Sequence, residues 1–189
     1  MTQRRTFLLA GGAFLAAPGV LRAQVSDPWF RGNAPTRRNM SSFRAQRWED
    51  HFSKRGVVSI LADTSSRALH YWSADLSDYR LYPTSVPMTD ELTRRGYTSI
   101  VRKRVGPDWT PTVSMRERNP DLPAYMPPGP DNPLGTHAMY LGWPAYLIHG
   151  THDTRKIGRR SSSGCIGLYN EMIAELFSIT PVGAQVRLI

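Results

Sequence analysis

A single cysteine and a histidine upstream of it have the clearest potential for chemistry in this sequence. Cys165 is the only cysteine among 189 residues, and it ends the segment SSSGC. His149 ends the apolar segment YLIH, and a polar, basic stretch connects the two residues. A thiol becomes a nucleophile when a neighbouring base removes its proton, and a strand, a loop and a returning segment can bring positions at this separation side by side. The pair therefore indicates acyl transfer, with Cys165 as the nucleophile and His149 as the base.

The residues around this pair supply the other requirements of such a site. Gly164 lets a substrate approach the backbone closely, and the amide groups of Gly164 and Cys165 are candidates for an oxyanion hole. Arg159 and Arg160 add positive potential, which lowers a thiol pKa and attracts carboxylates. Each feature also has an ordinary structural explanation. A lone cysteine is often a small buried apolar residue, and paired arginines often form a solvated face.

The other histidines give weaker indications. His152 lies in the loop after His149 and competes with it for the role of base. His51, His70 and His137 have no cysteine or carboxylate-rich partner at a metal-ligand spacing. We therefore expect neither a metal site nor another cofactor.

The amino-terminal residues predict export. The segment MTQRRTFLLAGGAFLAAPGVLRAQ contains the pair Arg4 and Arg5, an apolar run over 7–20 and small residues before a cleavage site after Ala23. The run is too short for a comfortable membrane span, and an uncleaved amphipathic anchor is the alternative. We predict a signal peptide over residues 1–23, of the twin-arginine type, and a periplasmic mature protein without a stable membrane anchor. An unpaired cysteine in that oxidising compartment is either buried and inert or kept for chemistry.

The charge of the chain narrows the class of partner. The formal net charge is +9 at pH 7, and only three of the arginines belong to the predicted signal. A basic protein attracts anionic polymers, and export makes nucleic acid an improbable one. We expect no nucleic-acid partner, and the carboxylate-rich bacterial cell wall is the natural acidic partner. Charge that serves only solubility is the alternative.

Hydrophobic patterning predicts a mainly β domain over residues 56–189 with one or two short helices. The strand candidates are VVSILA, ALHYWSA, YRLYPTSV, YTSIVRKRV, THAMYLG, AYLIHG and AQVRLI. The turn DTSSR makes the first two strands a hairpin. Thr89 is the predicted cap of a short helix in TDELTRRG, and Asn170 is the predicted cap of a second helix, EMIAELFSI.

Two further segments surround or interrupt this domain. Residues 24–55 are predicted to form a polar lead-in with a possible short helix that begins at Ser42. The proline-rich residues 106–136 are too long for a structureless loop, so we expect a partly ordered loop over a cleft. Tyr140 and Trp143 are candidates for binding a substrate in that cleft, with core packing as the alternative.

The segment HGTHDTRKIGRRSSSGC resembles the catalytic motif of the L,D-transpeptidase family with the YkuD-type domain, in which His-Gly is followed after a loop by Ser-x-Gly-Cys. The flanking segments GVVSILADTSSRALHYW and LYNEMIAELFSITPVGAQVRLI also look like the family, so the likeness runs from about Gly56 to Ile189. It implies a β-sandwich-like fold, peptidoglycan stem peptides as substrates, no cofactor and acylation by carbapenem-type inhibitors. It also implies Cys165 as nucleophile and His149 as base, with the Gly150 carbonyl orienting the imidazole.

Two positions depart from the family pattern. Ser163 stands where the family usually has a histidine, which leaves His149 alone as the base, and Gly167 stands where it usually has an arginine. Ser163 is a candidate substrate-binding residue, and so are Arg159 and Arg160 as replacements for the missing guanidinium. The departures also suggest an altered donor position, with links from L-alanine to diaminopimelate in place of links between two diaminopimelate residues.

The sequence thus predicts a peptidoglycan L,D-transpeptidase that works through a cysteine thioester. An L,D-carboxypeptidase, with water as the acceptor, or an amidase on the same polymer are the alternatives among enzymes. A non-catalytic wall-binding module with a relic cysteine is the alternative from another class of protein.

Overall fold

The computed structural model of the protein describes residues 44–189. The predicted signal peptide over 1–23 and the start of the predicted lead-in helix at Ser42 lie outside the described residues. The regular elements of the described part are β1 Ser59–Asp63, β2 Ala68–Trp72, β3 Tyr79–Pro83, β4 Val86–Pro87, β5 Gly96–Val105, α1 Val113–Arg118, β6 His137–Leu141, β7 Leu147–His149, β8 Arg160–Ser162, β9 Ile166–Gly167, α2 Asn170–Ile179 and β10 Gln185–Leu188. No helix within residues 44–189 is long and apolar enough to cross a membrane. The fold is mainly β with two helices, as predicted.

Eight strands form one mixed sheet in the order β3-β2-β1-β10-β5-β6-β7-β9, and β4 pairs with β8 outside it. The predicted hairpin of β1 and β2 is confirmed. Its turn is fixed by Asp63, whose carboxylate accepts hydrogen bonds from the backbone amides of Ser65 and Ser66 at 2.9 and 3.1 Å. The last strand, β10, lies between β1 and β5 and pairs in parallel with β1. The end of the chain therefore joins the two halves of the sheet.

The sheet carries apolar side chains on both faces, because successive side chains along a strand point to opposite faces. Ile60 of β1 belongs to the main core with Ile173 and Leu176 of α2, whereas the next residue, Leu61, belongs to a second cluster with Trp48. Each of these side chains is buried. A third, smaller cluster contains Leu134, Ala138, Leu147 and Cys165. The proposed nucleophile thus lies at the edge of an apolar cluster.

The pairing of β7 with β9 brings the two chemical segments together. These strands run in parallel, with Ile148 opposite Ile166 and His149 opposite Gly167. Cys165 immediately precedes β9, so in this register it lies opposite Leu147 at the start of β7, two residues before His149. A parallel pair needs a crossover connection between its strands, and the loop between His149 and Cys165 supplies it.

The predicted helix at Thr89 is wrong. The residues before β5 form turns, in which the Thr93 hydroxyl donates to the Thr89 carbonyl at 2.7 Å and the Thr93 amide donates to the Asp90 carbonyl at 3.0 Å. Asp90 also forms ion pairs with Arg95 and Arg160. A segment this short does not recover the cost of helix nucleation.

The two other helix predictions hold only in part. Within the described residues, the lead-in helix is a single 3₁₀ turn, Trp48–Asp50, anchored by a 2.9 Å hydrogen bond from Trp48 Nε1 to Ser59 Oγ. Helix α2 is confirmed, but Asn170 is its first helical residue and Tyr169 occupies the cap position. The Asn170 side chain instead accepts a hydrogen bond from the Thr136 amide at 3.1 Å, which ties α2 to the start of β6.

The proline-rich residues 106–136 are ordered by their own hydrogen bonds. Trp109 and Met126 exchange two backbone hydrogen bonds of 2.9 and 2.8 Å. Helix α1 lies between them, and the Thr112 hydroxyl caps it by accepting from the Met115 amide at 3.3 Å. The Asn132 side-chain amide donates to the Pro107 carbonyl at 3.0 Å. The loop is therefore a closed unit and presents a defined surface to the rest of the domain.

Candidate active site

Cys165 and His149 line one cavity of about 520 Å³. The cavity lies between the ordered loop 106–136 and the segments that carry the two residues. Its lining is mainly apolar on the loop side, including Trp109, Met115 and Met126. A pocket of this size accommodates a peptide-sized group, so a substrate can reach the thiol and the imidazole together.

The ring of His149 is held in one tautomer. Its Nδ1 lies 2.5 Å from the carbonyl oxygen of Gly150, and a carbonyl can only accept, so Nδ1 carries the proton. In the neutral ring the other nitrogen, Nε2, then has a free lone pair and can act as a base. The arrangement implied for Gly150 is present, although its catalytic role stays a prediction.

Burial keeps the His149 imidazole neutral. His149 is only 9% exposed, and burial lowers its pKa from 6.5 to about 4. The Gly150 carbonyl stabilises the protonated ring and so opposes this lowering of the pKa. The Lys156 ammonium repels the protonated ring and lowers the pKa further. At neutral pH the ring is therefore uncharged and able to accept a proton.

The Cys165 thiol is also neutral at rest. Burial raises its pKa from 9.0 to about 11, and a hydrogen bond from the Leu147 backbone opposes that shift. The thiol donates to the Ala145 carbonyl at 3.5 Å. The groups that shift this pKa do not include Arg159 or Arg160, so the predicted lowering of the thiol pKa by these arginines is wrong. The resting site therefore holds a neutral thiol and a neutral imidazole in one cavity, and the proton must move during the attack.

Alkylation of Cys165 tests this resting state. Because iodoacetamide reacts with the thiolate, a pKa of about 11 in place of 9.0 predicts alkylation at pH 7.5 about ten- to a hundredfold slower than in the unfolded chain. The rate is measured by mass spectrometry, and the absence of any other cysteine makes the signal unambiguous. The same protein in concentrated urea is the control. Equal rates in the two states would show that folding does not raise the pKa of the thiol.

The segment before Cys165 has a backbone that requires glycine at one position. Gly164 has φ +136°, a conformation that L side chains rarely adopt, and the ring of Tyr146 packs beside it. Its amide donates weakly to Ser162 Oγ at 3.3 Å, and that hydroxyl donates to the Cys165 carbonyl at 2.5 Å. These bonds fix the turn from which the Gly164 and Cys165 amides would serve an oxyanion, a role that stays a prediction.

The predicted substrate-binding residues divide into two groups. Ser163 lines the cavity, whereas Arg159, Arg160, Tyr140 and Trp143 are not among the residues that line it. Arg159 and Arg160 are exposed. The Arg160 guanidinium pairs with Asp90 at 3.6 Å.

The two predicted aromatic residues are covered by other arginines. Tyr140 lies under the Arg102 guanidinium, 3.6 Å from the ring centre, and packs against the cluster that contains Cys165. Trp143 lies under Arg94 and meets the Tyr146 ring edge-on. Both rings therefore lie outside the cavity lining.

His152 is the second histidine of the cavity lining. Its side chain is more exposed than that of His149, and partial desolvation of the ring together with the nearby Lys156 ammonium lowers its pKa. The hydrogen bond to Gly150 belongs to His149. The geometry therefore favours His149 over His152 as the base.

Sequence reasoning missed Ser85, which lies against Gly167. The two residues exchange backbone hydrogen bonds of 2.8 and 3.1 Å, and the Ser85 side chain lines the cavity. A Cβ atom at Gly167 would collide with Ser85 Oγ and lie 3.8 Å from His149 Cε1. An alanine at position 167 would therefore force the Ser85 hydroxyl to move. Ser85 is so distant in sequence that no local pattern predicts the contact.

A double-mutant cycle tests this contact. Gly167→Ala should destabilise the protein by about 1–3 kcal/mol because the added methyl group collides with Ser85 Oγ. In a Ser85→Ala background, which removes that oxygen, most of the cost should disappear. Urea denaturation of the four proteins measures both values. The same cost in both backgrounds would contradict the contact.

Arg118 and Lys156 are two charged cavity residues that the sequence did not indicate. Arg118 is the last residue of α1, and Lys156 ends a 3₁₀ turn, Thr154–Lys156. Both belong to loops whose position relative to Cys165 depends on the tertiary fold. Within residues 44–189, no three histidine, cysteine or acidic side chains converge in a way that could hold a metal ion.

Comparison with known proteins gives consistent matches. Residues 58–188 match the family profile described as the L,D-transpeptidase catalytic domain, YkuD. A putative L,D-transpeptidase from the ATP synthase subunits region of Fuscovulum blasticum is 61% identical over 180 residues, which cover 95% of this chain and 91% of that protein. The probable L,D-transpeptidase ErfK/SrfK of Escherichia coli K12 is 38% identical over 141 residues, 72% of this chain. The chain spans only 44% of that second relative.

Solved structures agree in fold. The structure of the LD transpeptidase LdtMt1 in complex with imipenem superposes with a TM-score of 0.54 at 16% sequence identity. The superposition covers 70% of this chain and 59% of the other. At that identity the likeness concerns the fold alone.

Proposed function

The chain belongs to the L,D-transpeptidase family with the YkuD catalytic domain, and from this premise we propose that it cross-links peptidoglycan stem peptides through a thioester on Cys165. The observation that carries the proposal is the shared cavity of Cys165 and His149. The hydrogen bond from His149 Nδ1 to the Gly150 carbonyl leaves Nε2 as the proton acceptor. A nucleophile and an oriented base are the minimum for acyl transfer.

The first half of the reaction forms the thioester. His149 Nε2 takes the thiol proton while Cys165 Sγ attacks a peptide carbonyl carbon of the donor stem. The resulting oxyanion is stabilised by backbone amides, for which Gly164 and Cys165 are the candidates. His149 then gives its proton to the departing amine, the carbon–nitrogen bond breaks, and the acyl group remains on sulfur.

The second half transfers the acyl group. An amine of a second stem, such as that of diaminopimelate, enters the cavity and loses a proton to His149. It attacks the thioester carbon, sulfur departs and regains a proton, and a new peptide bond joins the stems. Water in place of the amine would give a carboxypeptidase product from the same intermediate.

A neutral resting pair suits this sequence of steps. Both groups are buried, and a separated thiolate and imidazolium would be poorly solvated there. Charge therefore develops only during the attack, when the Gly150 carbonyl supports the imidazolium. The departure of the leaving amine then removes the charge again.

We also propose that the donor position differs from the usual one of the family. Gly167 carries no guanidinium toward the cavity, and Ser85 fills the adjacent space. The site thus lacks the positive charge that the usual family residue would supply at position 167, and a link through the L-alanine of the donor stem is the altered position that we propose. Carbapenems such as imipenem are expected to acylate Cys165, as the likeness to a relative solved with imipenem suggests.

Analysis of muropeptides tests the function. Purified protein is incubated with cell-wall sacculi, and the products are separated and sequenced by mass spectrometry, with Cys165→Ala as the control. Cys165-dependent dimers support a transpeptidase, and their fragment ions show which residues are joined. Monomers with shortened stems would instead indicate a carboxypeptidase. Stems released from the glycan would indicate an amidase. Binding to sacculi with no Cys165-dependent product would indicate a wall-binding module.

We propose that the protein acts in the periplasm after export through a twin-arginine signal. The pair Arg4 and Arg5 before the apolar run supports this proposal. Replacing both with lysine should leave unprocessed precursor in the cytoplasm, as detected by cell fractionation and immunoblotting. Normal export of that variant would exclude the twin-arginine route.

A further inference from the structure

We propose that Arg118 and Lys156 bind a carboxylate of the donor stem peptide at the cavity and so select stems with a free carboxylate over their amidated forms. This inference deepens the proposed function and rests on it for the identity of the substrate. It assigns charge recognition to two residues from separate loops, in place of Arg159 and Arg160. The argument depends on where these side chains lie and on what partners they have.

Arg118 and Lys156 line the same cavity as Cys165. Arg118 ends helix α1, which the Thr112 cap and the Trp109–Met126 pairing hold in place. Lys156 ends the 3₁₀ turn that begins after Asp153. Two cations thus reach the cavity from two ordered segments.

The lining has an excess of positive charge. Among the described residues that line the cavity, Asp131 is the only acidic one, whereas Arg118 and Lys156 are both basic. His149 is neutral at physiological pH. A cavity with this balance attracts an anionic group to the neighbourhood of the thiol.

The two cations are available to a ligand. Neither Arg118 nor Lys156 takes part in an ion pair within the structure of residues 44–189, whereas neighbouring basic residues do. Arg155 pairs with Asp153 at 2.8 Å, and Arg160 pairs with Asp90 at 3.6 Å. The partnered arginines hold surface turns in place, whereas the two cations without an ion pair in the described part of the chain belong to residues that line the cavity.

Lys156 is close enough to the base to affect it. Its ammonium contributes to the lowered pKa values of both His149 and His152. A carboxylate bound to Lys156 would offset that field, so His149 would become a stronger base when the donor is in place. Substrate binding and activation of the base would then be coupled through one side chain.

The chemistry of the two side chains fits a carboxylate better than an amide. A guanidinium can hold both oxygens of a carboxylate, and charge-assisted hydrogen bonds are stronger than neutral ones. A carboxamide presents an NH₂ group to the same donors and leaves one of them unpaired. We expect a preference for the carboxylate of about ten- to a hundredfold in binding.

The experiment measures binding in a Cys165→Ala background, so that no turnover is needed. Synthetic tetrapeptide stems with diaminopimelate are compared by titration calorimetry with stems amidated at the diaminopimelate carboxyl or at the glutamyl carboxyl. Arg118→Gln and Lys156→Gln should each remove most of the preference, and both should do so for the same one of the two carboxylates, because both side chains are proposed to bind it. The matched controls are Arg116→Gln, in the same last turn of α1, and Arg159→Gln, and both should keep the preference.

A second readout separates electrostatics from folding. In the wild-type background, Lys156→Gln should move the acid limb of the rate profile to higher pH, because the protonated His149 ring loses a repelling positive charge.

Equal binding of all peptides, no binding at all, or equal losses in the variants and their controls would overturn the inference. Cross-linking by the wild type alongside such a result would leave the proposed function intact. Selective binding without any cross-linked product would instead contradict the function alone.

Discussion

Replacing Cys165 with serine is expected to reduce acyl transfer by at least about a thousandfold. A serine hydroxyl is a much weaker acid than a thiol, and His149 is a weak base here because burial lowers its pKa to about 4. An imidazole of that basicity can assist the departure of a thiol proton but gives little help to an alcohol. The oxygen is also smaller than sulfur, so the attacking atom would lie further from the carbonyl carbon.

Acylation in a single turnover is the measurement for this variant. The protein is mixed with imipenem or with a donor stem, and intact-mass spectrometry follows the covalent adduct over time. The melting temperature of the variant should stay close to that of the wild type, because only one atom changes at the edge of the small cluster with Leu134 and Ala138. Adduct formation at an undiminished rate would place the nucleophile elsewhere.

The β framework could be predicted from the sequence because its signals are local. The segments around Ile60, Leu69 and Val186 alternate or are β-branched, and all three of these side chains are fully buried in the structure. The hairpin turn at Asp63 could also be predicted from the sequence, because aspartate and serine favour such turns. Helix positions were less secure: the segment at Thr89 has helix-like composition, yet turn hydrogen bonds and ion pairs of Asp90 determine its form.

The sequence predicts the site residues that a single segment identifies by residue type and spacing. It does not predict the residues that reach the cavity from distant segments. Cys165 and His149 stand out by residue type, and the parallel pairing of β7 and β9 brings their segments together. Ser85, Arg118 and Lys156 reach the cavity only through the tertiary fold. A basic pair in the connecting loop suggested Arg159 and Arg160 instead, but a charge close in sequence to a nucleophile need not point toward it.

The pKa values could not be inferred from residue types either. The sequence suggested that nearby arginines would ionise the thiol, whereas burial dominates and raises the Cys165 pKa to about 11. The same burial keeps His149 neutral. The site therefore depends on a base that is held in the correct tautomer, more than on a thiolate prepared in advance.

That dependence makes His149→Gln the second variant with a large expected effect. Glutamine is similar in length and can hydrogen-bond, but it cannot accept the thiol proton, so acylation should fall by about a hundred- to ten-thousandfold. His152→Gln is the matched control, because His152 lines the same cavity with an exposed side chain. We expect that control to lose less than about tenfold, a much smaller effect than loss of the general base.

The pH profile of the wild type gives an independent check on the same residue. Because the attack needs a neutral imidazole and the His149 pKa is lowered to about 4, the rate of acylation should stay nearly level as pH falls from 8 through the usual histidine range. It should decline only as pH approaches 4, where protonation of Nε2 removes the acceptor. A decline well above pH 4, together with a loss of rate in His152→Gln as large as that expected for His149→Gln, would identify His152 as the base and overturn the assignment of His149.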